Sequence, residues 1–172
     1  MPSFFSRMLM PALVSLSVAF IAGCGGGGGG GGGPAGPPTR AVVKLKTTGT
    51  LPVGITGIGA IDATVVYPTS AAKGLSITAT DVVASGAAAG INIVPNTAVS
   101  GEVRTGSLTA SGAGFPVGEF ATLTFSIATG GAPVVGDFSV NSSNTTILAS
   151  DDALTDLTSK GIAVEVMSVT FQ

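Results

Sequence analysis

The sequence predicts an all-β protein, an antiparallel β-sandwich or jelly roll of about eight or nine short strands. Between Arg40 and Gln172, runs rich in Val, Ile, Thr and Phe alternate apolar and polar residues with a period of two. Clusters of Gly, Pro, Asn and Ser separate these runs. No stretch has the apolar spacing of a long amphipathic helix. Together, these observations favour two packed antiparallel sheets.

The chain begins with a segment that has the features of an export signal. Arg7 and the amino terminus supply positive charge, and an apolar run of about 15 residues, 8–22, follows. That run is shorter than the roughly 20 residues that a membrane-spanning helix requires. Small residues, Ala22 and Gly23, come next. Residues 1–23 are therefore predicted to be a signal peptide that is removed after export.

The only cysteine of the chain, Cys24, directly follows this segment. The stretch Ile21-Ala22-Gly23-Cys24 resembles the lipobox of bacterial lipoproteins. The resemblance implies that Cys24 is lipidated on sulfur, becomes the mature amino terminus and is then acylated. Gly25 stands where Asp would favour retention in the inner membrane, so the resemblance implies anchoring to the outer membrane. The alternative is an unmodified thiol beside an ordinary cleavage site.

Residues 24–39 are predicted to be a flexible, disordered tether. Nine consecutive glycines, residues 25–33, precede a proline-rich piece, residues 34–38. Glycine loses the most backbone freedom on ordering and brings no side chain to bury. A glycine-rich chain of about ten residues spans on the order of 18 Å, enough to lift a domain from lipid head groups. The alternative, a phosphate-binding loop, lacks the Lys-Ser/Thr pair that such loops carry.

Residues 40–172 are predicted to form one monomeric domain, large enough to bury a core. Pro68 and Pro95 are expected to end strands, because proline has no amide hydrogen to donate to a ladder. A bulge is expected near Met167 and Ser168, where the alternation of the last strand slips by one residue. The predicted strands are residues 41–48, 60–67, 75–84, 91–94, 102–110, 120–128, 136–140, 145–149 and 162–171.

Few residues are suited to catalysis or metal binding. The chain has no histidine and a single cysteine, which excludes Ser-His-Asp and Cys-His triads, histidine metal sites and haem attachment. The only acidic cluster is Asp151, Asp152 and Asp156, and its spacing does not fit a calcium loop. The favoured interpretation is a solvated turn or a short helix capped by Ser150 or Asp151. We therefore predict no catalytic residue, no cofactor, no metal and no enzymatic activity.

Three stretches of the predicted domain resemble the cohesin-like domains of bacterial surface proteins. They are residues 59–68, which read GAIDATVVYP, residues 120–127, which read FATLTFSI, and the Asp-bearing loop 150–156 before the last strand. Cohesins share a jelly-roll fold with a class of carbohydrate-binding modules. Over about residues 41–172, the resemblance implies a module for protein interaction or surface assembly. No residues matching a dockerin-recognition pattern accompany it.

The alternative function is polysaccharide binding, which usually needs exposed aromatic rings on which sugars stack. The chain has no Trp. Only Phe115, in a Gly/Pro loop, and Phe120, which alternation places on the face opposite Phe125, are candidates to be exposed, although a structural role is favoured for both. The net charge of −2 and the lack of a basic patch indicate no nucleic-acid partner. The expected partners are the membrane, through the anchor, and an envelope or extracellular protein.

Recognition is expected on a flat sheet face or a sheet edge, because converging charged groups that would build a deep pocket are missing. In the strand 120–128, hydroxyl side chains alternate with the apolar set. A second hydroxyl series follows residues 75–84. The two candidate faces are Thr122, Thr124 and Ser126, and Ser76, Thr78 and Thr80.

Overall fold

The computed structural model describes residues 36–151 and 153–172, so the predictions for the signal peptide, for Cys24 and for most of the tether lie outside the described residues. None of the helices in the described part is long and apolar enough to cross a membrane. The strands are β1 (Arg40–Thr48), β2 (Ile58–Val66), β3 (Leu75–Ser76), β4 (Val82–Ala84), β5 (Asn92–Asn96), β6 (Glu102–Leu108), β7 (Glu119–Ile127), β8 (Ser139–Ala149) and β9 (Ala163–Phe171).

These strands form two antiparallel sheets, which confirms the predicted all-β sandwich. In sheet A, β3 and β4 both pair with β7, and β1 and β9 follow; in sheet B, the order is β5-β6-β2-β8. Every pairing within the two sheets is antiparallel. The period-two pattern thus gives each sheet one apolar face for the core and one outer face.

The core lies between the two sheets. Phe125 is fully buried at its centre, and its ring lies 5.0 Å from the rings of both Tyr67 and Phe138. As predicted, alternate residues point inward along β1 and along β7 from Ala121 onward. The fully buried residues of β1, β2 and β7 include Ala41, Val43, Leu45, Ile58, Ala63, Val65, Ala121 and Leu123.

The predicted strand 75–84 is wrong as a single element, since it divides into β3, a 3-10 turn (Ala79–Asp81) and β4. The Asp81 carboxylate accepts hydrogen bonds from the Thr78 hydroxyl at 2.6 Å and from the Thr78 amide at 3.0 Å. These bonds give the backbone a local alternative to the ladder. They also lower the pKa of Asp81. The Ser76, Thr78 and Thr80 face therefore does not exist as a strand face.

Two further strand predictions need correction in sheet B. Strand β5 continues through Pro95 to Asn96, because β5 is an edge strand and the missing amide hydrogen leaves no partner unpaired. The predicted strands 136–140 and 145–149 merge into one strand, β8. Opposite Ala63, residues 142–145 leave the ladder as a wide bulge, since Asp62 pairs with Thr146 while Thr64 pairs with Asn141.

Sheet A contains one expected bulge and one unexpected bulge. Lys44 pairs with Ser168 and Leu45 pairs with Val166, so Met167 is the extra residue, close to the predicted position. On β7, Leu45 pairs with Ala121 while Lys46 pairs with Glu119, which makes Phe120 an extra residue. Phe120 is fully buried. The bulge turns it inward beside Ala121, so its placement opposite Phe125 by alternation was wrong.

Candidate functional site

The outer face of sheet B changes from apolar to polar along its strands. The ladder register aligns side chains of four strands in rows across the face. The rows are Asn92-Leu108-Ala60-Leu148, then Val94-Gly106-Asp62-Thr146, then Asn96-Arg104-Thr64-Asn141.

An open apolar groove of about 510 Å³ runs over the first two rows. Its raised sides carry Leu108 and Val94, which are 68% and 64% exposed. Its floor is low because Ala60 and Gly106 contribute little or no side chain. Leu148 bounds the groove on β8. Large apolar side chains exposed next to a low floor are typical of a surface that receives another molecule.

Gly106 lies in the middle of this face, and the fold does not require a glycine there. Its backbone lies outside the left-handed region that favours glycine. A Cβ added at Gly106 would meet only the Val94 carbonyl oxygen, at an ordinary 3.5 Å. Because glycine in a strand interior weakens the strand, it often marks a place where a ligand or another backbone approaches closely.

A polar groove of about 370 Å³ continues the face beyond the apolar groove. Arg104 and Asp62 form a bidentate ion pair within it, with Arg104 Nε 2.7 Å from Asp62 Oδ1. Hydrogen bonding to Asp62 raises the pKa of Arg104. Glu102 adds a second carboxylate, so the charges in this groove sum to −1. An exposed pair of this kind contributes little to stability but fixes donors and acceptors for a partner.

The wide bulge of β8 forms one wall of the polar groove. Its Ser143 and Asn144 line the groove, and Thr64 lies almost fully buried at the floor. The Thr145 hydroxyl donates to the Asn141 carbonyl at 3.0 Å, which holds the bulge closed on itself. Bulges commonly redirect side chains and end pairing at a sheet edge.

The acidic loop 150–156 is stabilised by its own carboxylates. Asp151 accepts hydrogen bonds from the Thr155 hydroxyl at 2.6 Å and amide at 2.8 Å, and these bonds lower its pKa. Asp156 accepts from the Thr158 amide at 2.9 Å, at the start of a 3-10 turn (Thr158–Lys160). Of the two predicted alternatives, the turn is found at Asp151, and among the described residues no helix begins at Ser150 or Asp151. Asp152 lies outside the described residues. Within 36–151 and 153–172, no three His, Cys, Asp or Glu residues are grouped as metal ligands.

The predicted hydroxyl face of β7 is on the other sheet from the two grooves. Thr122 and Thr124 are half-buried on the outer face of sheet A, and the Thr122 hydroxyl donates to the Ser85 hydroxyl at 2.9 Å. Ser126 is exposed. These hydroxyls remain a solvated strand face without a groove of the kind that sheet B carries.

The two candidate aromatic residues are part of the core. Phe115 is 3% exposed and Phe120 is fully buried, so the favoured structural role is confirmed for both. The residues that line the two grooves in the described part of the chain include no aromatic ring. The sandwich therefore presents no stacking platform for a sugar along this face.

Sequence reasoning did not identify the grooves of sheet B. In β6 the inward positions carry Thr105 and Ser107 while Leu108 points outward, so alternation did not reveal which side is the core. The available signal was Gly106, an isolated glycine within a strand pattern. Gly106 can be recognised as part of a groove floor only once β5 and β2 are known to lie on either side of β6, and they do so only in the folded sheet.

Neither the family models nor the curated protein sequences give a match to this chain. Among solved structures, the chain is similar to the sixth cohesin of scaffoldin B from Acetivibrio cellulolyticus, solved with a mutant Cel5 dockerin (TM-score 0.51, 25% identity, 71% of this chain and 83% of that chain). It is also similar to the seventh ScaB type I cohesin of Pseudobacteroides cellulosolvens (TM-score 0.51, 21% identity, 71% and 77%). The sandwich is therefore cohesin-like in fold.

Proposed function

We propose that this protein is a non-catalytic, lipid-anchored component of the bacterial cell envelope that binds another protein. Its cohesin-like domain supplies the binding surface, here named the docking face: the outward residues of the three rows across sheet B. The anchor is the lipidated Cys24, and Gly25 after it favours the outer membrane.

The observation that carries this proposal is the low floor at Gly106 between two raised apolar sides. Neighbouring strands lie about 4.8 Å apart, so about 14 Å separates β5 from β8. An α-helix with its side chains is about 10–12 Å wide. A helix is therefore narrower than the face from β5 to β8, and it could rest on Val94, Leu108 and Leu148 with one side chain directed to the low floor at Gly106. The solved cohesin at 25% identity is bound to a dockerin, a protein partner, which supports the same class of function.

Polysaccharide binding is the second candidate, and the polar groove is the observation that favours it. Asp62, Glu102 and Arg104 offer donors and acceptors for hydroxyl groups. The absence of aromatic rings from the groove linings argues against it, because ring faces supply much of the contact area for sugars. Protein binding is the better supported function.

A capture experiment with matched variants tests the docking face. The compact unit Gly36–Gln172 would be immobilised as the wild type, as Gly106→Arg and as Thr124→Arg, with circular dichroism to confirm that all three fold. Envelope proteins captured by the wild type should be lost with Gly106→Arg, because the long side chain fills the groove floor. Thr124→Arg, on the outer face of sheet A, should capture them normally. The reverse pattern would place binding on sheet A.

A glycan array probed with the same three proteins separates the two candidate functions. Protein docking predicts no glycan signal that depends on Gly106. A glycan that binds the wild type and Thr124→Arg but not Gly106→Arg, with no captured protein, would favour polysaccharide binding.

Lipid anchoring is tested by metabolic labelling with a palmitate analogue. The wild type should be labelled and should fractionate with the outer membrane, whereas Cys24→Ser should carry no label, because the thiol is the acceptor of the lipid. Equal labelling of both proteins would contradict the anchor.

A further inference from the structure

Two adjacent valines project from the loop that joins β7 to β8. Val134 and Val135 are 54% and 58% exposed, so these two apolar side chains are not part of the core. Between Ala128 and Gly136 the loop contains no charged residue. The loop tip is thus an uncharged apolar protrusion.

This tip lies at the end of the sandwich where the chain joins β1. The Ile127 amide donates to the Thr39 carbonyl at 2.8 Å, so the end of β7 adjoins the residue before β1. The Ala132 amide donates to the Ala72 carbonyl at 3.0 Å, which holds the loop against the β2–β3 connection at that end. Val99, in the β5–β6 turn, is a third valine at this end and is also more than half exposed.

The nearest charges to the tip neutralise each other. Lys73 Nζ lies 2.9 Å from Asp137 Oδ2, and the same oxygen accepts the Val134 amide at 2.7 Å. Hydrogen bonding to Lys73 lowers the pKa of Asp137, which favours the ionised carboxylate that faces Lys73. Contact of the tip with an apolar phase would therefore leave neither charge of this pair without its partner.

The covalent connection limits how far this end can be from the lipidated residue. Cys24 precedes Arg40 by 16 residues, and a glycine-rich chain of about this length has a root-mean-square span on the order of 20–25 Å. A tethered site meets its target at high effective concentration. Two valines that would bind a bilayer only marginally on their own can then rest on it for much of the time.

We propose that the Val134–Val135 tip contacts the lipid surface to which Cys24 is anchored, and so sets the orientation of the sandwich. The inference rests on the proposed lipid anchor. The strands of sheet B lead away from this end, so their outer face would stand to the side of the bilayer and remain accessible to a partner.

The chain has no tryptophan, which allows a single fluorescent reporter. The full lipidated chain would be reconstituted in phosphatidylcholine–phosphatidylglycerol vesicles, with and without brominated lipid, as Val134→Trp and as Val53→Trp. Val53 is fully exposed in the β1–β2 connection, at the opposite end of β1, and serves as the matched control. Brominated lipid should quench the Val134→Trp emission about twofold or more and leave the Val53→Trp emission nearly unchanged.

The outcomes separate the two proposals. Protein that floats with the vesicles but shows no quenching of Val134→Trp overturns the lipid contact and leaves the anchor standing. Equal quenching of both reporters also overturns the proposed lipid contact, because the two ends of the domain would then approach the bilayer equally often. Protein that does not float at all overturns both the anchor and the contact.

Discussion

The two outer faces of this sandwich are made by sheets of similar size but have different chemistry. On sheet A, Lys44 Nζ lies 3.1 Å from both carboxylate oxygens of Glu119, and Lys46 Nζ lies 3.8 Å from Glu165. On sheet B, outward positions of β5 and β6 carry exposed Val94 and Leu108 beside Gly106. Both sheets pair charges across strands, and sheet A exposes Val83 on β4, but the exposed apolar side chains of sheet B surround bare backbone at Gly106.

This difference between the two outer faces distinguishes residues that suit a stable fold from residues that suit binding. Cross-strand ion pairs and hydroxyls suit a strand face that remains in water. An exposed apolar row around a strand glycine gives no benefit to an isolated domain, since it costs strand stability and exposes apolar area. The outer face of sheet A is accounted for by the stability of the fold, and the outer face of sheet B is where we propose that a partner binds.

The largest effect is expected at Phe120, the residue that alternation assigns to the outer face of sheet A. Phe120→Ala should lower the free energy of unfolding by about 3–5 kcal/mol, because it removes a fully buried ring and leaves a cavity. Urea unfolding measures this change. Thr124→Ala, four residues further along the same strand and on its outer face, should change stability by less than about 0.5 kcal/mol. Similar small effects for both would mean that Phe120 is not in the core.

A smaller effect is expected at Glu119, where the Ser85 hydroxyl and then Lys44 lower the pKa. The folded state therefore binds a proton less readily than the unfolded state, and the stabilisation is present at pH 7 and lost as the pH falls through the lowered pKa. Glu119→Gln should cost about 1 kcal/mol at pH 7, since Lys44 is partly exposed and screened. As the pH falls through the lowered pKa, the stabilities of the variant and the wild type should converge.

Asp62→Asn is the matched change on sheet B. Its partner Arg104 is largely exposed, so the substitution should alter stability less than Glu119→Gln does. Chemical denaturation across the pH range tests both variants. A larger pH-dependent loss for Asp62→Asn than for Glu119→Gln would reverse the proposed contrast between the faces.

A modest effect of the opposite sign is expected at Gly106. Gly106→Ala should raise stability by roughly 0.5–1 kcal/mol, because alanine loses less backbone freedom and its Cβ has space. Gly59→Ala, in the same sheet, should destabilise, because a Cβ there would lie 2.6 Å from the Ala149 carbonyl oxygen. Thermal unfolding distinguishes the two. Destabilisation by Gly106→Ala would mean that the fold itself requires the glycine.

The local alternation of apolar and polar residues was sufficient to predict the long strands. It was insufficient where side-chain hydrogen bonds interrupt a strand or where a strand lies at a sheet edge. β1 and β7 were predicted to within a residue or two, because nine-residue alternation leaves few alternatives. The run 75–84 failed because the Thr78 and Asp81 hydrogen bonds compete with the ladder. The end of β5 failed because proline is tolerated only on an edge strand, and edges are defined by the sheet.

The sequence by itself determined the all-β class, the approximate strand positions and the lack of residues for histidine chemistry, since these depend on residue type and short-range periodicity. The tertiary structure decided which residues share the outer face of sheet B and that Phe120 points inward. The physical reason is that a ladder register joins residues far apart in the chain: Arg104 meets Asp62 across 42 positions. A bulge likewise reverses side-chain direction only relative to the strand beside it. The docking face and the core position of Phe120 are therefore properties of paired strands.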